Sequence, residues 1–221
     1  MDTPGPTAAL PPRPVLWRLL ALFAGLLAPL YALGTLTETR GASDTPEWDR
    51  RLQHLIRRHI PRKNGTALHL LSGVGRPAAV IPVDLLLLAI LAARKQWATA
   101  QFFGLAVGGP AALHPLTKAL VGRRRPGLQQ MLDPEKTSSF PSGHAMNSMA
   151  VAAALIVLAW PTRRRWLVLL LGLLFVLLVG TMRIVLDEHH PSDVAAGWLA
   201  ALVWVIGVRL IWNDLFDQAE Q

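Results

Sequence analysis

Long, nearly uninterrupted apolar runs constrain this chain more than any other feature. Segments 15–36, 76–91, 98–120, 143–160, 166–185 and 191–212 are dominated by Leu, Val, Ala, Ile, Phe and Trp. The helices of soluble proteins carry apolar residues on one stripe, whereas these runs carry them on every side. A helix that crosses a bilayer needs roughly 20 mostly apolar residues. Only 16% of the chain is charged, against the ~25% usual for soluble domains. The predicted fold is therefore all-α: a polytopic membrane protein with six transmembrane helices in one bundle.

The Pro-rich start, residues 1–14, is expected to be disordered, the bundle to fill 15–212, and 213–221 to be a frayed acidic tail. The first run could be a signal peptide, with Arg13 and Arg18 as its basic flank. No convincing small-x-small cleavage site follows it, and Trp17 and Tyr31 suit interfacial anchors, so an uncleaved helix is expected. Between the first two runs, residues 45–60 have a helical pattern. Trp48, Leu52, Leu55 and Ile56 recur at helical spacing, with Arg50, Arg51, Arg57 and Arg58 around them. This segment is either an interfacial helix in the head-group plane or an extramembrane helix capping the bundle.

The chain has no cysteine, which excludes disulfides, thiolate catalysis and Cys-based metal sites. Its net charge of +8 points to phosphate groups or anionic lipids. Nucleic acid is not an expected partner, because the basic residues are scattered between apolar spans and no reader motif occurs. With six spans, the short basic loops at Arg94–Lys95 and Arg163–Arg165 share a face with both termini. That face carries eight Lys or Arg and the opposite face fourteen. The short loops weigh more in the positive-inside rule, so the first face is expected in the cytoplasm of the cell membrane and the second outside.

Ionisable residues near membrane depth are costly and usually functional. Here they fall in three clusters, all at helix ends on that second face. The first closes the third span: Lys118, then Arg123, Arg124, Arg125 and Pro126. Lys118 and Arg125 are two helical turns apart and could face one way, one as a point charge and the other as a planar fork for phosphate oxygens. Alone, this reads more readily as the basic flank of a membrane helix. The second opens the fourth span: Ser138, Ser139, Phe140, Pro141, Ser142, Gly143, His144. Pro-Ser-Gly at a helix start offers backbone N–H groups to an anion, and Gly143 allows close approach. The third joins spans five and six: Arg183, His189, His190, Pro191, Ser192, Asp193. Asp193 follows His189 by four residues, so a carboxylate can reach the imidazole and fix its tautomer. Together the clusters supply three cations, a backbone nest, two histidines and a carboxylate. Phosphoryl transfer needs those parts.

In these motifs the chain resembles the type 2 phosphatidic acid phosphatase family, which is related to the vanadium haloperoxidases. The family pattern is Lys-x6-Arg-Pro, then Pro-Ser-Gly-His, then Ser-Arg-x5-His-x3-Asp. It is matched by Lys118 to Arg125-Pro126, by Pro141 to His144, and by Arg183, His189 and Asp193. The motifs cover residues 118–193. One position departs: Met182 stands where the family has Ser. The resemblance implies that Lys118, Arg125 and Arg183 bind phosphate oxygens with help from Ser142 and Gly143. It implies that His189 is the nucleophile, Asp193 orients it, and His144 protonates the leaving group. No metal or other cofactor is implied. His190 is the rival nucleophile, but the spacing to Arg183 and Asp193 selects His189.

Asp187 and Glu188 would raise the pKa of His189 by their charge, unless Asp187 pairs with Arg183 or Arg124. His114, four residues before Lys118, reads as a packing residue rather than a catalyst. Asp84 lies inside the second span, as an internal ion pair or a link to the site. The expected partners are a lipid phosphate substrate and membrane lipids; the sequence sets no oligomeric state. Expected substrates are undecaprenyl pyrophosphate, placed slightly ahead, phosphatidic acid or phosphatidylglycerol phosphate. A lipid-binding or transport protein is the competing reading, though it would not need two histidines and an Asp. A transferase with an acceptor other than water is the third.

Overall fold

The apolar runs form helices, and the structure, a computed structural model, describes residues 13–36, 45–60, 77–121, 123, 125–126 and 138–219. Among these are seven α-helices and no strand: α1 (Arg13–Leu36), α2 (Glu47–His59), α3 (Pro77–Ala93), α4 (Trp97–Leu120), α5 (Gly143–Ala159), α6 (Arg165–Val185) and α7 (Pro191–Ala219). Residues 1–12, Arg76, Arg124 and His69 lie outside the described residues.

Two boundaries differ from expectation. The first helix begins at Arg13, inside the stretch expected to be disordered. The last continues to Ala219, through most of the expected frayed tail. Asn213 to Ala219 contains no Pro or Gly to stop a helix already propagating from α7.

Three of the described helices are long and apolar enough to cross a membrane: Val15–Leu36, Arg165–Val185 and Pro191–Trp212. Ala79–Ala93 and Gly143–Ala159 are apolar but shorter. The shorter α5 is the most enclosed helix, with Ala145, Met146, Ala150, Val151, Ala152, Ala153 and Ala154 all buried. Its neighbours are α6, α7 and α4, and α1 closes the bundle against α7. By contrast α6 and α3 turn large apolar side chains outward, among them Leu170, Leu174, Leu177, Leu85 and Leu86.

Small residues bring the central helices together. Ala150, Ala153 and Ala154 of α5 share one core with Ala196, Ala200, Ala201 and Val205 of α7. In a lipid environment such close backbone approach, rather than the hydrophobic effect, drives helix association. At the site end, a Cβ on Gly197 would stand 2.8 Å from the Ser142 carbonyl and 3.2 Å from the Met146 amide. Further along α7, Trp204 wedges into α4, where its indole N–H donates to the Leu105 carbonyl at 2.8 Å. Its ring lies where a Cβ on Gly109 would be.

The contact at Gly197 cannot be relieved by a rotamer change, because the opposing atoms are backbone. Gly197→Ala is expected to lower stability by about 1–3 kcal/mol, the usual range for overpacking. Gly108→Ala, with nothing within 4 Å of its Cβ, is expected to be neutral or stabilising by up to ~1 kcal/mol. Thermal unfolding of the two variants in detergent checks the contrast; equal melting temperatures would contradict this packing.

Candidate active site

The three ionisable clusters meet at one end of the bundle. Lys118 sits in the last turn of α4. The chain does not continue as helix to Arg125, as the two-turn spacing suggested. Val121 is already extended (φ −117°, ψ 122°). The Arg123 carbonyl then accepts a hydrogen bond from the Ser139 amide at 2.8 Å, so this strap runs beside the segment leading into α5. Pro126 disfavours helical geometry at Arg125. Arg125 nevertheless reaches the site, its Nη1 lying 3.4 Å from the Glu188 carbonyl. Burial pushes its guanidinium pKa down, opposed by Asp193.

The peptide bond between Phe140 and Pro141 is cis. Ser142 then caps α5, its hydroxyl accepting from the Ala145 amide at 3.5 Å. The Ser142 amide, expected to face an anion, instead donates to the Asp193 carbonyl at 3.0 Å. The Gly143 amide, at the first helical position, has no intrahelical acceptor and is the better anion donor. A Cβ there would lie 2.6 Å from His114 Nε2, so any larger residue would have to shift that ring. His114 therefore packs on the residue that begins the nest.

The turn 186–190 carries the third cluster. Asp187 adopts a left-handed conformation (φ 58°). The Arg183 carbonyl accepts from the Glu188 and His189 amides at 3.1 and 3.3 Å, folding the turn back over α6. Arg183 pairs with the Glu188 carboxylate. Asp187 points to α2 and takes bonds from Gln53 (2.8 Å) and Arg57 (2.6 Å).

His189 is buried, and its Nδ1 lies 2.7 Å from the Ser139 carbonyl oxygen. A carbonyl can only accept, so Nδ1 carries the hydrogen and Nε2 keeps its lone pair. The expected direct orientation by Asp193 is not what fixes this tautomer. The Asp193 carboxylate is 3.7 Å from Nδ1, because its oxygens are already engaged. Oδ1 accepts from Arg123 at 2.5 Å and Oδ2 from the His190 amide at 2.8 Å. From 3.7 Å Asp193 still pulls the pKa of the ring upward. Burial pushes the His189 imidazole down to about 4, against the opposing pull of Asp193. The upward shift expected from Asp187 and Glu188 does not occur, since those carboxylates face Arg57 and Arg183.

Lys118, Arg125, Gly143, Arg183, His189 and Asp193 are thus brought together, with His144 at the start of α5. Sequence reasoning missed Asp49 and the Ser139 carbonyl, and placed Arg123 in the first cluster without a role. Asp49, Gln53 and Arg57 fall four residues apart, a polar stripe on the side of α2 opposite Trp48, Leu52 and Leu55. That stripe was the available signal. Asp84 and Met182 make no described contact with these side chains. No group of three or more metal-ligating side chains occurs among the described residues.

The PAP2 superfamily model matches residues 97–217, more than half of the chain. The chain belongs to the PAP2 superfamily. An undecaprenyl-diphosphatase of Sulfolobus acidocaldarius is 33% identical over 135 residues, 58% of this chain and 61% of that protein. The chain thus spans less than two thirds of that relative's length. The crystal structure of a transmembrane PAP2-type phosphatidylglycerolphosphate phosphatase from Bacillus subtilis superposes with a TM-score of 0.67 at 21% identity, covering 93% of this chain and 98% of that one. LpxE of Aquifex aeolicus superposes with a TM-score of 0.52 at 20% identity, covering 72% and 92%. These two likenesses establish the PAP2 fold.

The tautomer and the downward shift make a joint prediction. In protein labelled with 15N-histidine, the resonances lost in a His189→Gln variant should report an Nδ1–H neutral ring at pH 6. They should titrate only near pH 4. A ring that titrates near pH 6.5, or carries its hydrogen on Nε2, would contradict this geometry.

Proposed function

We propose that this chain is a membrane-embedded hydrolase of lipid phosphates or diphosphates that works through a phosphohistidine intermediate. The observation that carries this reading is the state of His189. It is a buried, neutral imidazole with Nδ1 held by a carbonyl, in a site with Lys118, Arg125 and Arg183. Family membership and the 33%-identical diphosphatase support it.

His189 Nε2 attacks phosphorus in line as the bond to the leaving oxygen breaks. His144 donates a proton to that oxygen. The developing charge on the phosphoryl oxygens meets the three cations, the Gly143 amide and the Ser142 hydroxyl, which keeps its own hydrogen to donate. Asp193 offsets the positive charge that forms on the imidazole. Water then attacks the phosphohistidine, His144 accepts its proton, and the P–N bond breaks to release phosphate. Fixed cations fill the place that metal ions take in many phosphoryl-transfer sites, and the reaction is expected to proceed without added metal. A substrate phosphate would have to displace Glu188 from Arg183.

In this reading α1 and α3 to α7 cross the bilayer, and the site opens near head-group depth on the extracytoplasmic face. α2 turns Trp48, Leu52 and Leu55 outward, at 56, 41 and 55% exposure, and lies in the head-group plane. A substrate whose tail stays in lipid fits a site at helix ends. An isoprenoid diphosphate ranks ahead of phosphatidic acid and phosphatidylglycerol phosphate, a choice the Sulfolobus relative supports.

A phosphate-release assay on these three lipids tests the reading. His189→Ala should abolish turnover and the trapped phosphohistidine. His144→Ala should slow alkyl phosphates by about 10²–10⁴-fold, the range for general acid catalysis, and should slow aryl phosphates, with better leaving groups, much less. Full turnover by His189→Ala would overturn the mechanism. Labelled water that fails to enter released phosphate would point to a transferase.

A further inference from the structure

Behind Asp193 lies a buried charge cluster that the mechanism above does not use. The Arg123 side chain is wholly buried, as are those of Asp49 and Asp193. Arg123 Nη1 donates to Asp193 Oδ1 at 2.5 Å and to the Ser192 hydroxyl at 2.7 Å. Its Nη2 donates to Asp49 Oδ2 at 2.8 Å. Asp49 also accepts from the Ser192 amide at 2.9 Å and from the Ser192 hydroxyl at 2.5 Å. Asp49 comes from α2, and Ser192 and Asp193 open α7, so a surface helix reaches the residue that faces the nucleophile.

The charge balance of this cluster matters for His189. An Arg123–Asp193 pair alone sums to zero and would leave little field at the imidazole. With Asp49 the three side chains sum to one negative charge. We propose that Asp49 is a positioning residue for the reaction at His189: it neutralises Arg123, so that Asp193 keeps its negative charge for the imidazole. This rests on the reading of His189 as nucleophile.

Docking of α2 alone does not account for the cluster. Burying three charged groups carries a desolvation cost that apolar contacts would avoid. α2 has apolar residues available, yet Trp48, Leu52 and Leu55 face away from the bundle. Ile56 packs on Met182, Val185 and Ile184, and the polar stripe Asp49, Gln53 and Arg57 supplies the hydrogen bonds of the contact. Several other groups set the field at His189: Arg125 from the strap, Arg183 from α6, His114 and Lys118 from α4, and His144 at the start of α5. Glu188 and His190 flank it in the turn. None of these is itself replaced in Asp49→Asn, so a shift in the titration of His189 reads the Asp49–Arg123 balance.

The test uses the full chain in lipid nanodiscs with phosphatidic acid as substrate. Asp49→Asn removes one negative charge and should lower kcat by about tenfold or more with KM little changed, as expected for loss of charge stabilisation during the reaction. Less negative charge disfavours the imidazolium, so the acid limb of the pH profile should move to lower pH. Asp49→Glu should restore both. Arg123→Gln should be severely impaired, since it leaves two buried carboxylates facing each other. Asp49→Asn/Arg123→Gln restores the single negative charge and should recover about tenfold or more over Arg123→Gln. Where the single variants do not fold, the double variant and Asp49→Glu decide: a folded double variant as inactive as His189→Ala would overturn the proposal. So would an Asp49→Asn enzyme with unchanged kcat and acid limb. His189→Ala is measured alongside. If it stays active, the nucleophile assignment fails; if it is inactive while Asp49→Asn behaves as wild type, only the role of Asp49 fails.

Discussion

The hydrogen bond from the Ser142 amide to the Asp193 carbonyl ties the start of α5 to the start of α7, and the site depends on that junction. It exists because the two helices approach closely at Gly197, where no Cβ fits. The same approach sets the Ser139 carbonyl against His189 Nδ1 and the start of α5 beside that ring. Backbone atoms therefore define the pocket floor, and side chains supply the charge. A floor of backbone and small residues has few rotamers to lose order, which suits a reaction catalysed mainly by positioning and electrostatics.

Burial has opposite consequences for the groups around this floor. It keeps His189 neutral and able to attack. It also obliges every carboxylate to find a partner. Asp193 meets Arg123, Asp187 meets Arg57, and Glu188 meets Arg183. These pairings explain why two acidic residues next to His189 in sequence do not raise its pKa. They also leave Asp193 acting across 3.7 Å rather than through a short bond. The Ser139 carbonyl, not a carboxylate, fixes the tautomer.

Much of this was legible in the sequence. The six apolar runs mark six of the seven described helices, within two residues except at the end of the last, because all-round apolar character needs no tertiary context to be recognised. The helix at residues 47–59 was visible from its periodicity. The motif residues Lys118, Arg125, His144, Arg183, His189 and Asp193 were legible because their chemistry is scarce in an apolar chain. What escaped the sequence was long-range or made by backbone. Asp49 lies 74 positions from Arg123 and 143 from Ser192, and no local pattern links them. The Ser139 carbonyl is invisible in any side-chain pattern. On α2, Ile56 and the polar stripe dock on the bundle while Trp48, Leu52 and Leu55 face outward, a division that the apolar periodicity alone does not give. The third span ends at Leu120 as the apolar run indicates, and Arg125 reaches the site from beyond an extended Val121 rather than from a helical turn shared with Lys118.

The central claim is that three separate helix ends form one pocket for a single phosphorus centre, with His189 as its nucleophile. Vanadate takes the five-coordinate shape of the phosphoryl transition state. A structure of the vanadate-inhibited protein is the most direct measurement. The account predicts vanadium bonded to His189 Nε2, with its oxygens among Lys118, Arg125, Arg183 and the Gly143 amide, and His144 on the opposite side. Vanadium bonded to His190, or bound away from these residues altogether, would contradict it.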